Sequence, residues 1–273
     1  MSSDTKWENR RHDERIAKDA DQAELIAVRY GSCNLEAGTF DDRIADAMDD
    51  YQISDPRGVT RWANDDIKIE SATSDIGLEV GRRKRVLGTL YPFDHDGNRI
   101  VHRPSATLVY EFCLAVSLAR SLSEGAYARL PVAFERLVRD TLICFLGKGA
   151  DGYRTGWPRD EHEERPTRFR AVVEKLSALT GEFNWLPSVS MPHDPDPAQI
   201  KDEGLDVVVW KGIPDGRGGK LVLLGQCACG GDYQSKFHDI DQQFTKLSQW
   251  MNPVTWAWPV RVFSTPHHIP NDA

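Results

Sequence analysis

The chain has 273 residues, 34 lysines and arginines against 42 acids, and a net charge of −8, with 40% hydrophobic residues and eight tryptophans. That apolar content excludes wholesale disorder. The acidic balance argues against a protein that coats nucleic acid, but it leaves room for an acidic metal site beside a local basic face. No apolar run is long enough to cross a bilayer, and the polar N-terminus has no apolar segment of the signal-peptide kind. Cys33, Cys113, Cys144, Cys227 and Cys229 are odd in number and scattered, which fits a reducing compartment. The expectation is a cytoplasmic protein with no membrane partner.

Residues 1–22 are almost all charged or polar and read as a flexible arm or a solvated first helix. From Ala23 an apolar helical pattern runs to a break at Gly31. Thr39 then precedes Phe40, Ile44, Ala45 and Met48 at helical spacing, with Asp41 and Asp42 in the first turn, where negative charge suits the helix dipole. A third helical pattern ends in GLEVGRRKRVLG, and YPFDHDGNRIVHR follows as a hairpin with Asp96-Gly97-Asn98 at its tip. Helices followed by a hairpin give the outline of a small winged-helix-like module over 23–104. Arg82, Arg83, Lys84 and Arg85 put four consecutive positive charges beside the supposed wing. They read either as a contact to DNA or as a solvated helix face. DHDGN lacks the acidic residues a calcium loop needs at its fifth and twelfth positions, where Asn98 and Ser105 stand, so it reads as a turn.

Ser105 to Leu122 reads as a strongly apolar helix capped by Ser105, within a connecting segment 105–130. A helix starting at Pro131 repeats Phe134, Leu137, Val138, Leu142 and Phe145 at steps of three and four, one core-facing stripe with Glu135 beside it. Residues 147–166 are rich in Gly, Pro and charge and read as a loop. Arg165, Arg168 and Arg170 follow its acidic cluster and could meet a phosphate backbone, with solvated surface as the alternative. Phe169 to Leu179 is an amphipathic helix ending before Gly181. FNWLPSVSMPHDPDPAQI is irregular, with room for a short strand near Phe183 to Leu186.

The stretch from Glu203 to Gly230 organises the rest. Val207 to Trp210 and Leu221 to Leu224 are two wholly apolar runs joined by Pro214-Asp215-Gly216 and Gly218-Gly219, a hairpin buried on both faces. Asp206 opens the first strand and Gln226 closes the second, so their oxygens can point at one place, and converging oxygens on rigid elements suit Mg²⁺. Asp202 and Glu203, just upstream, read as supporting acids or as surface. After Gly230 a helix from about Tyr233 to Trp250 turns Phe237, Ile240, Phe244, Leu247 and Trp250 to the core, with Lys236 in its first turn. Val260 to Ser264 supplies a last strand to the same sheet. Cys227, Cys229, His238, His267 and His268 lack zinc-site spacing and read as packing and surface residues.

With Asp206 on one strand and Gln226 on the next, the hairpin resembles the catalytic hairpin of the PD-(D/E)XK nuclease superfamily, in particular its Mrr-like members, which carry Asp and then Gln-x-Lys. The position two beyond Gln226 is Ala228 rather than Lys. Some members move that lysine to the following helix, where Lys236 stands, with Lys220 and Lys211 as alternatives. The resemblance covers roughly the second half of the chain. It implies an α/β (α+β overall) architecture: a restriction-endonuclease-like mixed sheet flanked by helices over 131–273. It also implies that the helix before the hairpin lends an acid, at Glu135, although a surface glutamate near a helix N-terminus reads equally well. The expected site is Asp206, Gln226, the Cys227 backbone carbonyl and Glu135 around Mg²⁺, with Mn²⁺ as its substitute and Lys236 orienting the attacking water. The expected function is DNA cleavage in bacterial restriction or antiviral defence, under a regulatory partner protein and compatible with a homo-oligomer. The alternative is a nuclease-fold subunit that binds nucleic acid or protein and cuts nothing.

Overall fold

The computed structural model describes residues 3–35, 59–104, 106–158, 166–237 and 239–269. The chain divides into two units, Met1–Leu118 with His267–Ala273, and Ala119–Pro266. The helix expected over Thr39–Met48 lies outside the described residues.

In the first unit, α1 (Ser3–Tyr30) begins far upstream of Ala23, so the stretch expected as an arm or helix at 1–22 is helix from Ser3 onward. The reason lies in its last turns: Ala17, Ala20, Ala23 and Ala27 are buried at steps of three and four. A strip of small side chains lets a polar helix pack closely along a narrow seam. Gly31, at φ +85°, ends the helix. β1 (Ser32–Asn34), β2 (Phe93–His95) and β3 (Arg99–His102) form an antiparallel sheet in the order β1-β3-β2. Between β2 and β3 stands the expected Asp96-Gly97-Asn98 tip, with Gly97 at φ +94° and the Arg99 N–H donating to Asp96 Oδ1 at 3.1 Å. α2 (Val59–Leu87) precedes the hairpin, and α3 (Val109–Ser117) follows it. α3 is shorter than the expected helix of 105–122. Ser117 Oγ donates back to the Leu114 carbonyl, and Ser121 and Ser123 bond each other beyond it, so local hydroxyl bonds displace helical ones.

The second unit runs α4 (Leu130–Leu146), β4 (Ala150–Arg154), α5 (Phe169–Thr180), β5 (Val207–Lys211), β6 (Leu221–Cys227), α6 (Asp239–Ser248) and β7 (Val260–Ser264). Its sheet has the order β4-β5-β6-β7, antiparallel twice and then parallel. The hairpin is buried on both faces, as its unbroken apolar runs demand. Val207, Val209 and Leu223 meet Leu142, Ile143 and Leu146 of α4 on one side. Val208, Trp210, Val222 and Leu224 meet Phe169, Val173 and Leu176 of α5, with Leu247 and Trp250, on the other.

Three details correct the reading of this half. Phe145 is 80% exposed, and Ile143 and Leu146 carry the stripe in its place. Residues 150–154, expected within a loop, are the strand β4. Here Gly152 is what allows α4 to lie against the sheet: a Cβ there would stand 3.0 Å from both Arg139 Cγ and Val209 Cγ2. The helix expected from Tyr233 begins as a 3₁₀ turn, Tyr233–Phe237, and α6 starts only at Asp239, so Lys236 sits in the 3₁₀ turn. Near Phe183–Leu186 a single bridge from Trp185 to Met251 stands in place of the expected strand, flanked by backbone bonds from Phe183 to Val254 and from Leu186 to Trp250. No described helix is long and apolar enough to cross a membrane.

Candidate functional site

At the end of the sheet where β5 begins and β6 finishes, Asp206 is gripped through backbone and side chain together. The N–H groups of Thr155 and Gly156, just past β4, donate to its carbonyl at 2.8 and 3.0 Å, and its own N–H donates to the Gly225 carbonyl at 3.0 Å. Its Oδ2 accepts from the Cys227 N–H at 2.7 Å. A carboxylate fixed by its own strand pair has little freedom to turn away, which suits a preorganised ligand.

Two more acids face the same region. Glu135, on α4, is 5% exposed and pairs with the fully buried Arg154 of β4, Nη1 to Oε2 at 2.6 Å. The same guanidinium donates to the carbonyls of Gly156 and Pro158 at 2.7 and 2.6 Å. Asp202 accepts from the N–H groups of Trp157 and Gly204, both at 3.0 Å. Gly156 completes a cradle for Glu135, because a Cβ there would come within 2.4 Å of Oε2. Gln226, one residue before Cys227, is 7% exposed, and its Oε1 has no hydrogen-bond partner. The charge of Lys236 reaches Asp206 and favours its ionised form.

Burial, the Asp206 charge and the Asp202 charge push Glu135 up to about 8 against the pull of Arg154. Burial and then Asp202 push Asp206 up to about 7, against Cys227, Lys236 and Arg154. Burial is the first cause in both, so the site disfavours the ionised carboxylates beyond what the surrounding cations offset, a penalty that a bound divalent cation would relieve. Burial and Asp206 also hold the Cys227 thiol well above its usual range.

A pH dependence follows. Both acids bind protons more tightly folded than unfolded, so ionising them on raising the pH destabilises the folded chain. Their contribution is fully present below the unfolded pKa values of about 4. It is lost as pH rises through about 7 for Asp206 and about 8 for Glu135. In EDTA, thermal melts should show a lower Tm at pH 8.5 than at pH 6, and Glu135→Gln should flatten that difference. A Tm that does not fall with pH contradicts the assignment of charge.

No family model, curated protein or solved structure matches this chain.

In the second unit Glu135, Asp206 and Lys236 act on one another's region through charge, the Cys227 N–H binds Asp206, and Gln226 stands one residue before Cys227 with a buried, unpartnered oxygen. The alternatives to Lys236 serve elsewhere: Lys211 Nζ donates to the Leu146 carbonyl at 2.6 Å and Lys220 Nζ to that of Thr180 at 2.5 Å. They cap the C-termini of α4 and α5 at the turn end of the hairpin, away from Asp206. The expected nucleic-acid contacts fare differently. Arg83 is 1% exposed and donates to Asp21, Glu24, Glu79 and the Ala17 carbonyl, so it is a core residue. Arg82 is bound to Glu79, and Lys84 to Asp94 at 2.8 Å; Arg85 is exposed. The helical period splits the four charges between core and solvent. Arg165 lies outside the described residues, Arg168 pairs with Asp194 at 2.9 Å, and Arg170 contacts Glu174 and His193.

Among the described residues, three His, Cys, Asp or Glu ligand atoms come within 4.8 Å of one another at Asp21, Glu24 and His268 of the first unit. Sequence spacing gives no hint of this group, since His268 is distant in the chain. Arg83 Nη1 already stands 2.7 Å from Asp21 and 2.9 Å from Glu24. Tyr91 donates to Glu24 Oε1 and Tyr110 to Oε2, while the Tyr110 hydroxyl lies 3.0 Å from His268 Nε2. A guanidinium and two hydroxyls occupy the acceptor positions that a metal would need. Arg154 and Gln243 are the residues that sequence reasoning missed. The first sits in the strand read as a loop, and the second is a polar side chain within an apolar helical stripe.

Proposed function

We propose that the chain is a divalent-cation-dependent phosphodiesterase acting on DNA, with the second unit as its catalytic part. The observation that carries this reading is a pair of buried carboxylates at one end of the sheet, Glu135 and Asp206, raised to about 8 and about 7, with the buried, unpartnered Gln226 amide oxygen contributed by the neighbouring strand β6. The mixed sheet, with an acid on the helix before the hairpin and a lysine after it, supports the restriction-endonuclease-like architecture. The helices and hairpin of the first unit support a winged-helix-like module.

The donor set is oxygen throughout, which suits Mg²⁺ or Mn²⁺. Asp206, Gln226, the Cys227 carbonyl and Glu135 would hold the ion. A bound divalent cation supplies a water activated at neutral pH and Lewis-acid relief of charge on the phosphate. The chain's own residues do the rest. The Cys227 N–H fixes the Asp206 carboxylate, and Arg154 fixes Glu135. Lys236 brings positive charge to the place where a phosphate oxygen gathers negative charge. Bacterial restriction or antiviral defence, a regulatory partner protein and a cytoplasmic setting belong to the same proposal. The second reading, a subunit that binds nucleic acid or protein without cutting, is favoured by one observation: Ala228 is fully buried where the resemblance expects lysine.

The test is a supercoiled plasmid incubated with the full chain in Mg²⁺, Mn²⁺ or EDTA. Nicking or linearisation in either metal and none in EDTA is expected. Intact plasmid in all three, with a retained shift of the plasmid on a gel, favours the non-cutting subunit.

A further inference from the structure

Gln243 stands on the inward arc of α6, four residues before Leu247 and seven before Trp250, both of which are buried in the apolar core. It is only 2% exposed, although glutamine is a residue of surfaces. Its Nε2 donates to the Gly204 carbonyl at 2.8 Å, which orients the amide and leaves Oε1 buried with no donor. Gln226 repeats the pattern from β6. Its Oε1 is also buried without a donor, and its Nε2 lies 3.9 Å from where a Cβ on Gly204 would be. Gly204 is itself held by Asp202 through its N–H. Two side-chain amides from separate elements therefore bring their nitrogens to one short turn, 202–206, that already carries Asp202 and Asp206, and each keeps a buried oxygen without a donor.

A buried acceptor with no donor is costly, and two at one turn call for a ligand that is positively charged or rich in donors. A hydrated divalent cation is both: Mg²⁺ and Mn²⁺ take few protein oxygens, and the waters they keep donate to further acceptors. We propose that Gln243 is a member of the cation site, its amide oxygen acting with that of Gln226 on the hydrated ion held at Asp206. This rests on the phosphodiesterase reading and extends the site from the hairpin to α6. The mixed set of carboxylates and neutral amides would hold the ion with less charge than acids alone.

The experiment is a Mn²⁺ titration followed by electron paramagnetic resonance on the full chain, with wild type, Gln243→Met and Gln243→Glu in parallel and circular dichroism to confirm folding. Gln243→Met keeps length but removes the oxygen. It should weaken Mn²⁺ binding by roughly tenfold, the scale expected for a residue supporting a metal site. Gln243→Glu adds charge and should tighten it several-fold, and it decides the matter if the methionine variant fails to fold. Wild-type binding with both folded variants unchanged overturns the role of Gln243 and leaves the phosphodiesterase reading standing. No Mn²⁺ binding by wild type overturns both.

Discussion

Asp206→Ala is expected to bring Mg²⁺-dependent cleavage below detection, a loss of at least about 100-fold, because removing even outer partners of a metal site commonly costs 10- to 100-fold. Asp206 is bound at its carbonyl, its N–H and its carboxylate, which holds it at the end of the strand pair where the ion is proposed to sit. Loss of activity from unfolding is separable from loss of the ligand. Asp206→Asn keeps an acceptor for the Cys227 N–H and removes the charge that burial and Asp202 disfavour. In EDTA at pH 8.5 that variant should melt at or above the wild-type temperature while remaining inactive in Mg²⁺. Full activity in pure Asp206→Ala protein would remove Asp206 from the mechanism.

Arg154→Met is expected to have the largest effect on stability. The guanidinium is fully buried and holds Glu135, Gly156 and Pro158 together. Without it, Glu135 is left facing Asp206 and Asp202 with no cation in contact. Breaking one side of a buried ion pair costs about 3–5 kcal/mol. The cost should be smaller at pH 6, where Glu135 can take up a proton, than at pH 8.5. Pairing Arg154→Met with Glu135→Gln should recover most of it, since the uncompensated charge is gone. Urea unfolding at both pH values measures each term. A loss under about 1 kcal/mol at pH 8.5, the range of exposed pairs, would mean that Arg154 is not the hub of the site.

The parts of the fold legible in the sequence were those where one force dominates. Val207–Trp210 and Leu221–Leu224 are unbroken apolar runs, and no other placement would bury them. The helix Phe169–Thr180 announces itself by its stripe and by Gly181, which ends it at φ +73°. β4 was illegible because Gly149, Gly152 and Gly156 read as turn chemistry, whereas the glycine at 152 answers to the closeness of α4. With the strand hidden, Arg154 was hidden too. A run of four cations at 82–85 looked like one surface because consecutive residues were counted together. On a helix Arg83 belongs with Glu79, one turn earlier, and both answer to α1. Glu135 was visible as an acid beside a core stripe, but its burial depends on Arg154. Gln243 carried a weak signal, a polar residue where the stripe should be apolar.

The most direct test of the shared cation site is a crystal of the full chain soaked in Mn²⁺ and measured for anomalous scattering. The expected result is a peak in contact with Asp206 and Gln226, which Asp206→Asn abolishes. A peak at Asp21, Glu24 and His268 instead, or none in an otherwise ordered crystal, would contradict it.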